Sequence, residues 1–172
     1  MPPLVEQLKH GLDAPICLTW ELTYACNLAC VHCLSSSGRR DPKELSTAEA
    51  LSVVDQLADL QVFYINIGGG EPMIRKDFFD IVDHAIDRYV GVKFSTNGYY
   101  IDHAAAERMA ASDLLDIQIS LDGFDAATND AVRGEGSWKQ ARTAMDNLAK
   151  ACLLYTSPSP RDATLSRMPS SA

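Results

Sequence analysis

Residues 46–70 read STAEALSVVDQLADLQVFYINIGGG, one helix signal followed directly by one strand signal. Ser46 and Glu49 stand at capping-box spacing, where hydroxyl and carboxylate satisfy free amides at a helix start. Leu51, Val54, Leu57 and Ala58 then recur at the 3.6-residue period of an amphipathic helix ending near Leu60. Val62 to Ile67 changes to strand chemistry and is closed by Gly68-Gly69-Gly70. The same alternation extends both ways. Ile16 to Leu22 reads as a strand, Val92 to Ser95 as another stopped by Asn97-Gly98, and Asp116 to Leu121 as a fourth stopped by Asp122-Gly123. Between them lie a helix capped by Asp77, with Phe78, Ile81, Val82, Ala85 and Ile86 as its buried face, and an alanine-rich helix over 102–111. A last helix follows Ser137, which with Gln140 forms a second capping-box pattern backed by Ala141, Ala144, Met145 and Leu148. Four strand–loop–helix units imply an α/β fold with a parallel sheet. Their length, about 34 residues per unit, is near the roughly 31 of an eight-fold barrel. A doubly wound sheet gives the same alternation, so periodicity leaves both open. In either fold the strand C-terminal ends carry the site.

The chain has 172 residues, 47% hydrophobic and 22% charged, the composition of a globular domain with a core. Its formal charge of -8 argues against a nucleic-acid binder. No apolar run approaches the roughly 18 residues of a membrane span, and Met1-Pro2-Pro3-Leu4 opens no secretory signal. A cytoplasmic protein, away from nucleic acid and membrane, is expected. Five cysteines in such a chain point to a metal site before a disulfide framework.

Three of those cysteines crowd into Cys26-Asn27-Leu28-Ala29-Cys30-Val31-His32-Cys33, directly after the first strand. Thiolates at spacings of four and three on one loop can converge on one centre. A structural zinc knuckle built on Cys30 and Cys33 would need further protein ligands. Cys17 lies inside a strand and Cys152 begins a segment of different composition. Three thiolates without a fourth suit an iron–sulfur cubane with one open iron. His32, between two of them, is read as a flat ring against a bound cofactor. The glycine run is no dinucleotide fingerprint, because Met73 occupies the third glycine position, and no P-loop, because no Gly-Lys-Ser/Thr follows. Arg133, in a Gly-flanked polar loop, is within reach of a carboxylate, although an exposed arginine is the commoner case.

A C-x3-C-x2-C loop after the first strand and Gly69-Gly70-Glu71-Pro72 after the second resemble the radical S-adenosylmethionine superfamily. The resemblance implies a [4Fe-4S] cluster on Cys26, Cys30 and Cys33, with S-adenosyl-L-methionine chelated at the open iron. It further implies reductive cleavage to a 5′-deoxyadenosyl radical that abstracts hydrogen from a substrate. Gly69, Gly70 and Glu71 match the motif that holds the methionine amino group. Ser120 and Asp122 match positions that contact the ribose, and Ser95 and Asn97 a polar edge beside cofactor and substrate. Turn chemistry alone also explains Asn97-Gly98 and Asp122-Gly123.

Residues 18–26 and 33–42 resemble more narrowly the peptide-maturing branch of the superfamily. That likeness implies oxidative decarboxylation and carbon–carbon crosslinking of the C-terminal Val-Tyr of a small precursor peptide. It also implies a peptide chaperone and an electron-donor protein as partners. The implied fold is a partial (β/α) barrel, with about four units over 1–151 of the six in a family barrel. Residues 152–172 are Ser-, Pro- and Arg-rich without apolar periodicity, and are expected to form a disordered tail. Cys152 to Asp162 resembles a translated sequencing adapter, so this tail is expected to be non-native. A second reading, from another class, is a non-catalytic metal-binding or electron-transfer module.

Overall fold

The computed structural model describes residues 14–112 and 114–151. The expected tail 152–172, with Cys152, lies outside them. The described chain runs β1 (Cys17–Thr23), α1 (Thr47–Asp59), β2 (Tyr64–Gly69), a single 3-10 turn (Pro72–Ile74), α2 (Phe78–Asp87), β3 (Gly91–Thr96), α3 (His103–Ala110), β4 (Leu115–Ile119), α4 (Ala126–Arg133) and α5 (Ser137–Lys150).

The four strands form one parallel sheet in the order β1-β2-β3-β4. A doubly wound sheet reverses strand order at a switch point. Here each strand is added beside the last, as in a barrel segment. Leu18, Ile65, Val92 and Leu115 share one register row, and Trp20, Ile67, Phe94 and Ile117 the next. These rows pack with Val54 and Leu57 of α1, Phe78, Ile81 and Val82 of α2, Met109 of α3 and Leu148 of α5. Phe78 meets Phe94 edge to face at 5.0 Å, fixing α2 on β3. The alternate positions are polar or small: Thr19, Asn66, Lys93 and Asp116 in one row, then Glu21 beside Gly68 and Ser95 beside Gln118. A sheet apolar on one face and polar on the other matches a barrel wall whose inner surface serves a site.

The caps show where local chemistry prevailed. The Ser46–Glu49 box forms in both directions. Asp102 caps α3 through the Ala105 amide, and Asp125 caps α4 through Thr128. α4 itself is absent from the sequence expectation, because its eight residues are polar and bury only Asn129 fully. Two expectations are corrected. Asp77 precedes α2 but makes no cap hydrogen bond, since its carboxylate is held by Arg75 and Thr47. The Ser137–Gln140 box does not form, for the cap position is Gly136 and Ser137 lies inside the helix, buried. Asp130 takes over, accepting from the Trp138 amide at 2.8 Å and from the Ser137 hydroxyl at 3.0 Å. The fourth strand also stops at Ile119, two residues before its expected end, where its partner β3 ends at Thr96 and the last backbone bond is Ser120 to the Thr96 carbonyl at 2.9 Å.

Candidate metal centre and cofactor cavity

β1 ends in a register shift between Glu21 and Thr23, and the chain turns there into the cysteine loop. The loop's base is closed by Gly38, whose amide donates to the Tyr24 carbonyl at 2.8 Å. Its far side leans on α4, where the Val31 amide donates to the Val132 carbonyl at 3.0 Å and the Cys30 thiol to the Arg133 carbonyl at 3.8 Å. Two sulfurs receive backbone amides, Cys26 from Leu28 at 3.4 Å and Cys33 from Ser37 at 3.3 Å. Burial pushes the Cys26 thiol up, while the Ser37 amide holds Cys33 below the usual thiol range.

The glycine turn packs against this loop backbone to backbone. Gly70 donates to the Thr23 carbonyl at 2.7 Å and Glu71 to the Ala25 carbonyl at 2.8 Å. A Cβ on Gly69 would strike the Thr23 carbonyl, and one on Gly70 the Ala25 carbonyl, whereas Gly68 meets nothing within 4 Å. Gly69 also has φ +106°, a conformation that favours glycine.

Between the two loops lies a cavity of about 240 Å³ that Cys26, Cys30 and Cys33 line together. Of the other candidate residues, Gly69, Gly70, Ser95, Asn97 and Ser120 line it as well. Glu71 and Asp122 do not. Glu71 is 0% exposed, and its carboxylate accepts from the Thr96 hydroxyl (2.8 Å), the Asn97 amide (2.8 Å) and the Met73 amide (3.2 Å). Burial raises its pKa against the pull of those donors. The side chain thus couples the glycine turn to the end of β3 from beneath the cavity. Asp122 stands behind the wall, paired with His32 at 3.2 Å and with Arg133. His32 and Arg133 do line the cavity, so Arg133 is a placed cation rather than a free surface arginine.

Sequence reasoning missed three lining hydroxyls. Ser35 donates to the Gly69 carbonyl at 2.9 Å and lies 2.6 Å from Ser37, and Thr96 binds Glu71. The run Ser35-Ser36-Ser37 beside Cys33 was the available signal. Asn27 was a further omission, its Oδ1 accepting from the Asn97 side-chain Nδ2 at 2.8 Å.

Among the described residues no three His, Cys, Asp or Glu side chains gather closely enough for one metal ion. In a cubane each thiolate binds a different iron, so three sulfurs spread around one cavity meet its requirement. The donor set fits, with three thiols, amides aimed at two of them, and adjoining hydroxyls and glycine backbone.

The sequence model of the Radical SAM superfamily matches residues 20–155. The chain belongs to that superfamily. Over 151 residues this radical SAM chain is 64% identical to "Mycofactocin maturase MftC" of Mycobacterium ulcerans, covering 88% of the chain and 41% of that protein. It therefore spans about two-fifths of the length of the curated relative. Among solved structures, Streptococcus suis SuiB bound to S-adenosylmethionine superposes with a TM-score of 0.74 at 20% identity, covering 94% of this chain and 39% of that one. SuiB bound to precursor peptide SuiA gives 0.73 at 21%, over 93% and 38%. At such identities these two show the fold, a partial radical SAM barrel.

Proposed function

We propose that residues 1–151 are the cluster-bearing part of a radical S-adenosylmethionine peptide maturase acting on the C-terminal Val-Tyr of the mycofactocin precursor peptide. The observation that carries the reading is one cavity shared by three cysteine thiols and a glycine turn, in a chain 64% identical to a mycofactocin maturase. Cys26, Cys30 and Cys33 would hold a [4Fe-4S] cluster. When bound, that cluster supplies one electron to S-adenosylmethionine and so a carbon radical able to take hydrogen from the peptide.

The chain's own residues bind, orient and shield. The Leu28 and Ser37 amides support thiolate at Cys26 and Cys33. The Gly69–Gly70 turn would offer backbone oxygens to the methionine ammonium, the Gly69 carbonyl sharing its lone pairs with Ser35, with Glu71 fixing the turn. Arg133, steadied by Asp122, offers a cation to a carboxylate. Ser95, Asn97 and Ser120 offer hydrogen bonds to the nucleoside and to the substrate edge. The precursor peptide, a peptide chaperone and an electron-donor protein are the expected partners, in the cytoplasm. No helix among the described residues is long and apolar enough to cross a membrane. The competing assignment within the family is a maturase of another peptide, such as the pyrroloquinoline quinone precursor. SuiB bound to a precursor peptide supports a peptide substrate in general.

Anaerobic reconstitution tests the proposal. The chain should take up about four irons, and each of Cys26→Ala, Cys30→Ala and Cys33→Ala should take up fewer than about one. S-adenosylmethionine should alter the electron paramagnetic resonance spectrum of the reduced cluster. A normal cluster in Cys30→Ala overturns the ligand assignment. A spectrum indifferent to S-adenosylmethionine favours the non-catalytic iron–sulfur module.

A further inference from the structure

Outside the cavity's lining sits a charge network that neither the motifs nor the proposed chemistry uses. Arg75, three residues past the Gly-Gly-Glu-Pro turn, is 4% exposed. Its guanidinium grips Asp77 with two nitrogens, at 2.9 and 2.6 Å, and Glu44 and the Leu45 carbonyl with a third, at 2.9 and 3.0 Å. Glu44 belongs to the other loop, at the far end of the excursion that carries the cysteines. Its second oxygen accepts from the Thr23 hydroxyl at 2.6 Å. Thr23 lies where β1 opens into the cysteine loop, and there the same hydroxyl accepts from the Ala25 amide at 3.1 Å, while its carbonyl accepts from Gly70.

These contacts close a ring. The cysteine loop leaves at Thr23 and comes back at Glu44, and the glycine turn leaves its contact with Thr23 at Gly70 and ends at Arg75. Arg75 and Glu44 join the two far ends. A planar guanidinium bound at three acceptor groups resists rotation, as a lysine ammonium would not. Surface pairing does not explain this arrangement, because arginine, Glu44 and the threonine are all nearly enclosed.

We propose that Arg75, through Glu44 and Thr23, is a positioning residue that sets the cysteine loop in register with the glycine turn. It holds cluster ligands and cofactor-binding backbone at a fixed separation without touching either ligand. The inference rests on the reading that this cavity takes S-adenosylmethionine.

Arg75→Lys keeps the charge and loses the fork, and Thr23→Val keeps shape and loses the hydroxyl. Thr47→Val removes a bond to Asp77, at 2.7 Å, that comes from the start of α1 and does not pass through Glu44 or Thr23. Each is reconstituted beside the unaltered chain, with circular dichroism to follow the fold. S-adenosylmethionine affinity and the rate of iron loss to a chelator are then measured. Arg75→Lys and Thr23→Val should retain helix and sheet, bind S-adenosylmethionine about tenfold or more weakly, and lose iron several times faster, because small misplacements are costly in preorganised sites. Thr47→Val should match the unaltered chain in both. Should Arg75→Lys not fold, Thr23→Val decides alone. Affinity and iron loss within about twofold of the unaltered chain in folded variants overturn the proposal, as does an equal effect of Thr47→Val. If the unaltered chain itself binds no S-adenosylmethionine, the functional reading falls instead, and the iron-loss rates still judge the tie.

Discussion

Gly68 and Gly70 are two residues apart and are glycine for different reasons. Gly70 faces the Ala25 carbonyl, a backbone atom that cannot swing aside, whereas a Cβ on Gly68 enters open space at the cavity. Gly70→Ala is expected to destabilise the fold by about 3 kcal/mol or more, a size reserved for forced backbone displacement. Gly68→Ala should leave the urea midpoint close to that of the unaltered chain. Equal midpoints for the two variants would show that the loops do not meet as described. Glu71 teaches a related lesson. A carboxylate beside a glycine turn suggests a partner for a ligand's ammonium. Its three internal donors and complete burial make it a strut between β2 and β3, because a buried carboxylate must satisfy its oxygens nearby.

At the scale of elements, the starts of α1 and α2 are joined by Asp77, bound to Arg75 and Thr47. The Arg75 guanidinium lowers the Asp77 carboxyl from its ordinary value to about 2. A carboxyl depressed in the folded state stabilises the fold above its unfolded pKa near 4, and that stabilisation fades as the pH falls from about 4 towards 2. Because the carboxylate is partly solvated, the loss should be about 1 kcal/mol. Urea unfolding of the chain and of Asp77→Asn, run at pH 5 and near pH 2, measures it. The difference in stability between the two proteins should shrink across that window, and a constant difference would contradict the assignment.

For the whole molecule, strand order among the described residues places β1 and β4 outermost in the sheet. Closure requires a consistent set of strand number, tilt and stagger, which the four described strands do not by themselves provide. Beside β4, Leu121 and the 87% exposed Phe124 add apolar surface. Exposed apolar surface of this kind recruits other chains. Light scattering coupled to gel filtration should therefore show concentration-dependent self-association of the 172-residue chain. A monodisperse monomer at high concentration would mean that this apolar surface makes no contact between chains.

The four strands, the main helices and the siting of every special loop at a strand's C-terminal end were legible in the sequence. Period, capping and turn chemistry are local, acting between residues a few positions apart. The three cysteines were legible for the same reason, since one short loop holds them all. Polar α4 was not, for it buries too little to leave an apolar period. Nor was the strand order, which separates a barrel wall from a doubly wound sheet and belongs to packing between distant units. Tertiary structure alone turned Glu71 inward, set Asp122 behind the cavity wall, placed Arg133 in it, and joined Arg75 to Glu44 across 31 positions. Each of those outcomes depends on which buried charges and donors meet when separate loops pack, and burial makes such pairing obligatory without announcing it in any one segment.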